Sequence, residues 1–165
     1  MRAASLVVRA RLMRAVVIAL AVAVIAWVLP NQRTQAATGD EQSKTQWDGV
    51  YTEAQAKAGE DIYMDKCVMC HAEDLSGDTP YNPAPALVGK PFLASWDRRT
   101  VGELFDFMSK NMPKDDPGSL KKEDYVKVIA FIFRFNKFPA GKTSLEGEPE
   151  VLKKITIVKE NKKQD

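Results

Sequence analysis

The chain has 165 residues, room for one domain plus processing segments, and carries 24 Lys and Arg against 22 Asp and Glu for a formal net charge of +2. Five of the basic residues and none of the acidic ones fall in the first 36, which leaves 19 basic against 22 acidic groups, a net of −3. Without that leader no basic stripe or aromatic-interleaved patch remains, so nucleic-acid binding is excluded.

Residues 1–36 read as a secretory signal. Arg2, Arg9, Arg11 and Arg14 form a basic leader, Ala15 to Leu29 is an unbroken apolar run, and Thr34-Gln35-Ala36 follows Pro30 with small residues where a signal peptidase reads. The run has 15 residues, short of the roughly 20 needed to span a bilayer as a straight helix. Cleavage after Ala36 or Ala37 is the favoured expectation; retention as an anchor, extended by Trp27 and its flanks, is the alternative. Either outcome places the rest of the chain outside the cytoplasm, in the periplasm or on the outer face of the inner membrane.

Residues 37–49 are polar and read as a flexible lead-in, with Trp47 and nearby Tyr51 tucked against the domain. The domain proper is expected over 50–141. Thr52 with Gln55 has the spacing of a capping box, and the helix it opens should run from about Glu53 to Met69. Ala58, Ile62, Tyr63 and the stem of Lys66 are its expected core face. Gly59 costs stability inside a helix, so it predicts the close approach of another helix.

The helix ends in Cys67-Val68-Met69-Cys70-His71. Two thiols separated by two residues, with a histidine directly after, form the attachment pattern of covalent haem. Each sulfur can add to one vinyl group of a haem edge, and the adjacent imidazole then lies under the ring to bind iron. The motif uses every cysteine and the only histidine of the chain. A disulfide between Cys67 and Cys70 leaves His71 without a role; zinc lacks a second ligand pair; a redox dithiol lacks its parallel βαβ setting.

Residues 73–95 are rich in Pro and Gly and read as a long connection wrapped around the bound group. Thr100 and Glu103 have capping-box spacing and open a second helix to about Lys110, stopped by Met112-Pro113. Asp115-Asp116-Pro117-Gly118 is a turn. A third helix is expected from about Leu120 to Asn136, ended by Pro139-Ala140-Gly141. Residues 142–165 form a charged tail, read either as a short extended segment laid on the domain or as loosely ordered chain.

His71 supplies one axial ligand, and no second histidine exists to supply the other. Beyond the leader the methionines are Met64, Met69, Met108 and Met112. The first two sit on the attachment side. Met112, on irregular backbone beside Pro113, is the favoured sixth ligand; Met108, within a helix among Leu104, Phe105 and Phe107, is the alternative, and plain core filling is the third reading of Met112. Thioether ligation raises the reduction potential relative to two imidazoles and leaves no open coordination site.

From the attachment motif through Met112-Pro113 to the last helix, over roughly residues 50–141, the chain resembles a class I c-type cytochrome. Its markers run in the same order: Gly59 and Tyr63, the Cys67–His71 motif, Pro85-Ala86-Leu87, Met112-Pro113, and Ile129-Ala130-Phe131, which resembles the crossing point that packs on Gly59 and Tyr63. The stretch Asn111 to Leu120, with Asn136 to Gly141, is similar to cytochromes serving periplasmic quinoprotein dehydrogenases. The resemblance implies a small all-α cytochrome c fold, three main helices wrapped around one covalently bound haem c with its iron. It implies that Cys67 and Cys70 hold the haem, that His71 and Met112 ligate the iron, and that the Pro85 carbonyl receives the proximal imidazole. It also implies that Leu87, Phe92, Trp96, Leu104 and Phe107 line the pocket. Lys110, Lys114, Asp115 and Asp116 give mixed charge where many members present a lysine ring.

The expected function is that of a periplasmic one-electron carrier, not an enzyme, shuttling between a dehydrogenase or quinol-oxidising complex and a terminal acceptor. The alternatives are a haem-bearing subunit of a membrane respiratory complex, or a haem enzyme or gas sensor with a labile sixth ligand. Redox proteins are the expected partners, with membrane contact only if the N-terminal segment is retained.

Overall fold

The computed structural model describes residues 43–80 and 82–160. The signal or anchor expected over 1–36, and residues 37–42 of the lead-in, lie outside the described residues. So do the last five residues of the tail. Among the described residues no helix is long and apolar enough to cross a membrane.

In chain order the elements are strand β1 (Lys44–Thr45), a 3-10 turn (Gln46–Asp48), α1 (Glu53–Lys66), α2 (Val68–His71), α3 (Gly89–Trp96), α4 (Val101–Asn111), α5 (Lys122–Phe135), α6 (Pro149–Leu152) and β2 (Ile155–Thr156). This is a helix-rich architecture, the small all-α cytochrome c fold, with one two-residue parallel pairing of β1 and β2. Helices α1 and α5 pack most extensively on each other. The reason is visible at Gly59, where a side-chain carbon would lie 1.9 Å from the carbonyl oxygen of Lys127. Only a residue without Cβ lets the two backbones approach so closely. The contact falls on Lys127 and Val128, two residues earlier than Ile129-Ala130; the aromatic half of the expected crossing holds, with Tyr63 and Phe131 5.0 Å apart between ring centres.

Around that crossing lies one core of Tyr51, Tyr63, Leu75, Phe92, Leu104, Ile129, Ile132 and Phe133, all essentially inaccessible to water. The α1 face differs from the expected one: Ala56, Gly59 and Tyr63 are buried, Ala58 and Ile62 are only half-buried, and Lys66 points outward to pair with Asp65. At the start of α4 the capping box is complete, the Thr100 hydroxyl accepting from the Glu103 N–H at 3.1 Å and the Glu103 carboxylate from the Thr100 N–H at 2.8 Å. At α1 only half of it forms. Thr52 accepts from the Gln55 N–H, but the Gln55 side chain is engaged elsewhere.

Two expectations are corrected here. The connection 73–95 is not all loop, because residues 89–96 form α3. Pro91 is tolerated there because it stands at the third helical position, where an N–H has no intrahelical partner. The other correction concerns the ends of the domain. Residues 43–49 are not a flexible lead-in, and, of the two readings of the tail, residues 142–160 take the segment laid on the domain: each end is tied by a glutamine. Buried Gln46 donates to the Val158 carbonyl at 2.5 Å and accepts from the Val158 N–H at 3.0 Å. Gln55 does the same with Leu145, at 2.7 and 2.8 Å. Leu145, Leu152, Ile155 and Ile157 fill the gaps between these ties, buried in the core. Trp47 and Tyr51 do tuck in as expected, Trp47 edge-on to Phe138 at 4.8 Å and Tyr51 donating to the Phe138 carbonyl at 2.6 Å.

Gln46→Ala removes both bonds and strands a partly buried N–H. We expect a loss of about 2–3 kcal/mol in urea unfolding, with faster proteolysis after Lys153 and Lys154. An unchanged midpoint would show that the tail does not depend on the carboxamide.

Candidate functional site

Helix α1 delivers the attachment motif. Its last turn ends at Cys67, whose N–H donates to the Tyr63 carbonyl at 2.8 Å, and the single turn of α2 then presents Cys70 and His71. Cys67 and Cys70 are free thiols, both half-buried, and His71 is 8% exposed. Tyr63 steadies the exit of the motif by donating to the Ala72 carbonyl at 2.7 Å.

The proximal imidazole is oriented from behind. Its Nδ1 lies 3.0 Å from the carbonyl oxygen of Pro85. That carbonyl can only accept, so Nδ1 carries the proton and Nε2 keeps its lone pair. Among the described residues Nε2 has no hydrogen-bond partner. Burial depresses the His71 pKa, against a smaller opposing effect of the Pro85 carbonyl, which keeps the ring neutral and fit to bind a metal. Burial also pushes the Cys67 thiol up to about 11, with further increments from Cys70 and Asp65. Before attachment Cys67 is therefore a protonated thiol at neutral pH. No group of three or more His, Cys, Asp and Glu side chains among the described residues is placed to hold a bare metal ion.

Further apolar side chains come from α3, α4 and the loops beside them. Phe92 and Leu104 are buried, Trp96 is 8% exposed and meets Phe107 edge-on at 5.8 Å, and Leu87 packs against the same core. Phe107 is the exception among the expected lining residues, 46% exposed. Met112 caps α4 in extended backbone and is half-buried. Its N–H donates to Met108 at 2.9 Å and its carbonyl receives the Tyr125 hydroxyl at 2.6 Å, so the residue is fixed from both sides. Met108 packs against the core, whereas Met64 and Met69 are 42% and 74% exposed. The loop after Met112 returns to the attachment side. Lys66, raised first by Asp65, also feels Asp115 and Asp116, which sets that loop beside the end of α1.

These residues fit a covalent haem: two free thiols beside a neutral imidazole whose Nε2 is unengaged, walled by apolar side chains. Sequence reasoning named these groups but missed Asn136, which bonds the chain just after Pro85, because its partners are nearly fifty positions away.

Residues 54–132 match the family described as cytochrome C oxidase, cbb3-type, subunit III. No curated protein and no solved structure matches the chain. The match, over just under half of the chain, supports a c-type cytochrome domain that transfers electrons on covalently bound haem c with its iron.

Proposed function

We propose that this chain is an exported, single-haem carrier of one electron at a time, with His71 and Met112 as axial ligands and Cys67 and Cys70 as the covalent links. One attachment motif allows one haem, and the observation that carries the ligand assignment is Met112, half-buried and with its backbone clamped by Tyr125 on an element separate from His71's own loop. Haem c supplies a one-electron couple at its iron. Pro85 holds the proton on Nδ1 of His71 and thereby points the Nε2 lone pair. Phe92, Trp96 and Leu104 are buried and would serve to keep water from the site, and exclusion of water from the iron favours electron transfer over ligand chemistry. The donor is a dehydrogenase or quinol-oxidising complex and the acceptor a terminal one, reached outside the cytoplasm.

A second reading is favoured by the family match: a haem-bearing subunit of a membrane respiratory complex, anchored by an uncleaved N-terminal segment. Expression of the full chain with its own leader in a bacterium that attaches haem c separates the two. Recovery of the red protein from the periplasmic fraction, beginning near Thr38, supports the carrier. Recovery from membranes with larger subunits, and an intact N-terminus, supports the subunit.

A further inference from the structure

The Pro85 carbonyl is useful to His71 only if the loop that bears it stays in place. Upstream, the Ala84 N–H donates to Gly77 at 3.0 Å and the Gly77 N–H to His71 at 3.0 Å; downstream, the Leu87 N–H donates to Leu75 at 2.8 Å. Gly77 and Leu75 belong to the same loop and His71 ends α2, so these bonds hold the loop to itself and to the attachment motif but not to the rest of the fold. Tyr63 holds the start of the loop at Ala72; downstream of Pro85, among the hydrogen bonds of the described residues, the tie from outside is Asn136, the residue that ends α5. Its Nδ2 donates to the Leu87 carbonyl at 2.9 Å and to the Ile132 carbonyl at 2.9 Å, and its Oδ1 accepts from the Gly89 N–H at 2.8 Å. One carboxamide thus bonds the loop two residues after Pro85, its own helix, and the first N–H of α3, which Val88 leaves uncapped.

We propose that Asn136 is a positioning residue for the iron: by tying Leu87 and Gly89 to α5 it holds the Pro85 carbonyl at Nδ1 of His71 and so tunes the reduction potential. A proton held toward a carbonyl makes the imidazole a stronger donor, and a stronger donor favours ferric iron. Releasing the tie weakens that bond and moves the potential in the positive direction. The inference applies equally to a free carrier and to a subunit, and it rests on His71 being the proximal ligand.

The test uses the holoprotein. Asn136→Ala should keep its haem and low-spin spectrum, show a potential more positive than the wild type, and shift the His71 imidazole N–H resonance in proton NMR. Gln55→Ala, which cuts an equivalent pair of bonds to Leu145 far along the chain, should move neither. A potential and resonance in Asn136→Ala equal to the wild type overturn the proposal alone. Absence of any strongly shifted imidazole N–H resonance in the wild type removes the premise and the proposal together. Should Asn136→Ala fail to fold, amide exchange in the wild type decides: slow exchange at Gly89 and Leu87 supports the tie, and fast exchange at both overturns it.

Discussion

Gly59→Ala is expected to be among the most destabilising single changes in the molecule. The new methyl group would meet the Lys127 carbonyl oxygen at 1.9 Å, its carbon at 2.4 Å and the Val128 nitrogen at 3.0 Å. All three are backbone atoms of α5, so no rotamer change relieves the collision, and the two helices must separate. Overpacking of this kind costs about 3 kcal/mol or more, at the upper end of its usual range. For a domain of this size each kcal/mol moves the thermal midpoint by about 4–8 °C, so a fall of more than about 12 °C is expected by calorimetry. The comparison that isolates the cause is Gly147→Ala, whose methyl meets side chains and no backbone, the flexible Lys122 at 2.9 Å and Val126 at 3.2 Å. That variant should lose less than about 1 kcal/mol. Equal midpoints for the two would contradict the helix crossing described above.

Met112→Ala should have the largest effect on the iron. Removing the thioether leaves the sixth position without a protein ligand, so the ferric form should lose its sulfur charge-transfer band and the ferrous form should bind carbon monoxide. The potential should also fall, since the soft sulfur that favours ferrous iron is gone. Met108→Ala, one turn earlier and half-buried against the core, should lose about 1–2 kcal/mol of stability, less than a fully buried methionine, but retain the band. The reverse pattern would move the ligand to Met108. Tyr125→Phe is an intermediate case, because it frees the Met112 carbonyl without touching the sulfur.

The sequence reveals most where chemistry is local. Cys67, Cys70 and His71 are legible because covalent attachment constrains three reactive residues within five positions, and no fold has to be assumed. The Thr100–Glu103 box is legible for the same reason, since both partners share one turn. Gly59 announces a close approach but not its partner, because the residue that needs the space lies on another helix; the structure names Lys127. Helix α3 is hidden by its own composition. Gly89 and Pro91 break helices in the interior but are harmless in a first turn, and only the tertiary setting shows that Val88 precedes one. The tail is hidden for a different reason. Its few apolar residues carry no periodic pattern, and their burial depends on Gln46 and Gln55 taking hold of single peptide groups about 90 and 112 positions away. Asn136 belongs with these, as all its bonds to the Pro85 loop are long-range.

The central claim is that His71 and Met112 close both faces of a single covalent haem, and the most direct measurement is the absorption spectrum of the purified wild-type protein in both oxidation states. A weak far-red sulfur-to-iron band in the ferric form, with sharp low-spin α and β bands on reduction and no response to carbon monoxide, is the predicted result. A high-spin ferric spectrum without that band, or ready binding of carbon monoxide, would contradict it and point instead to a haem with an open coordination site.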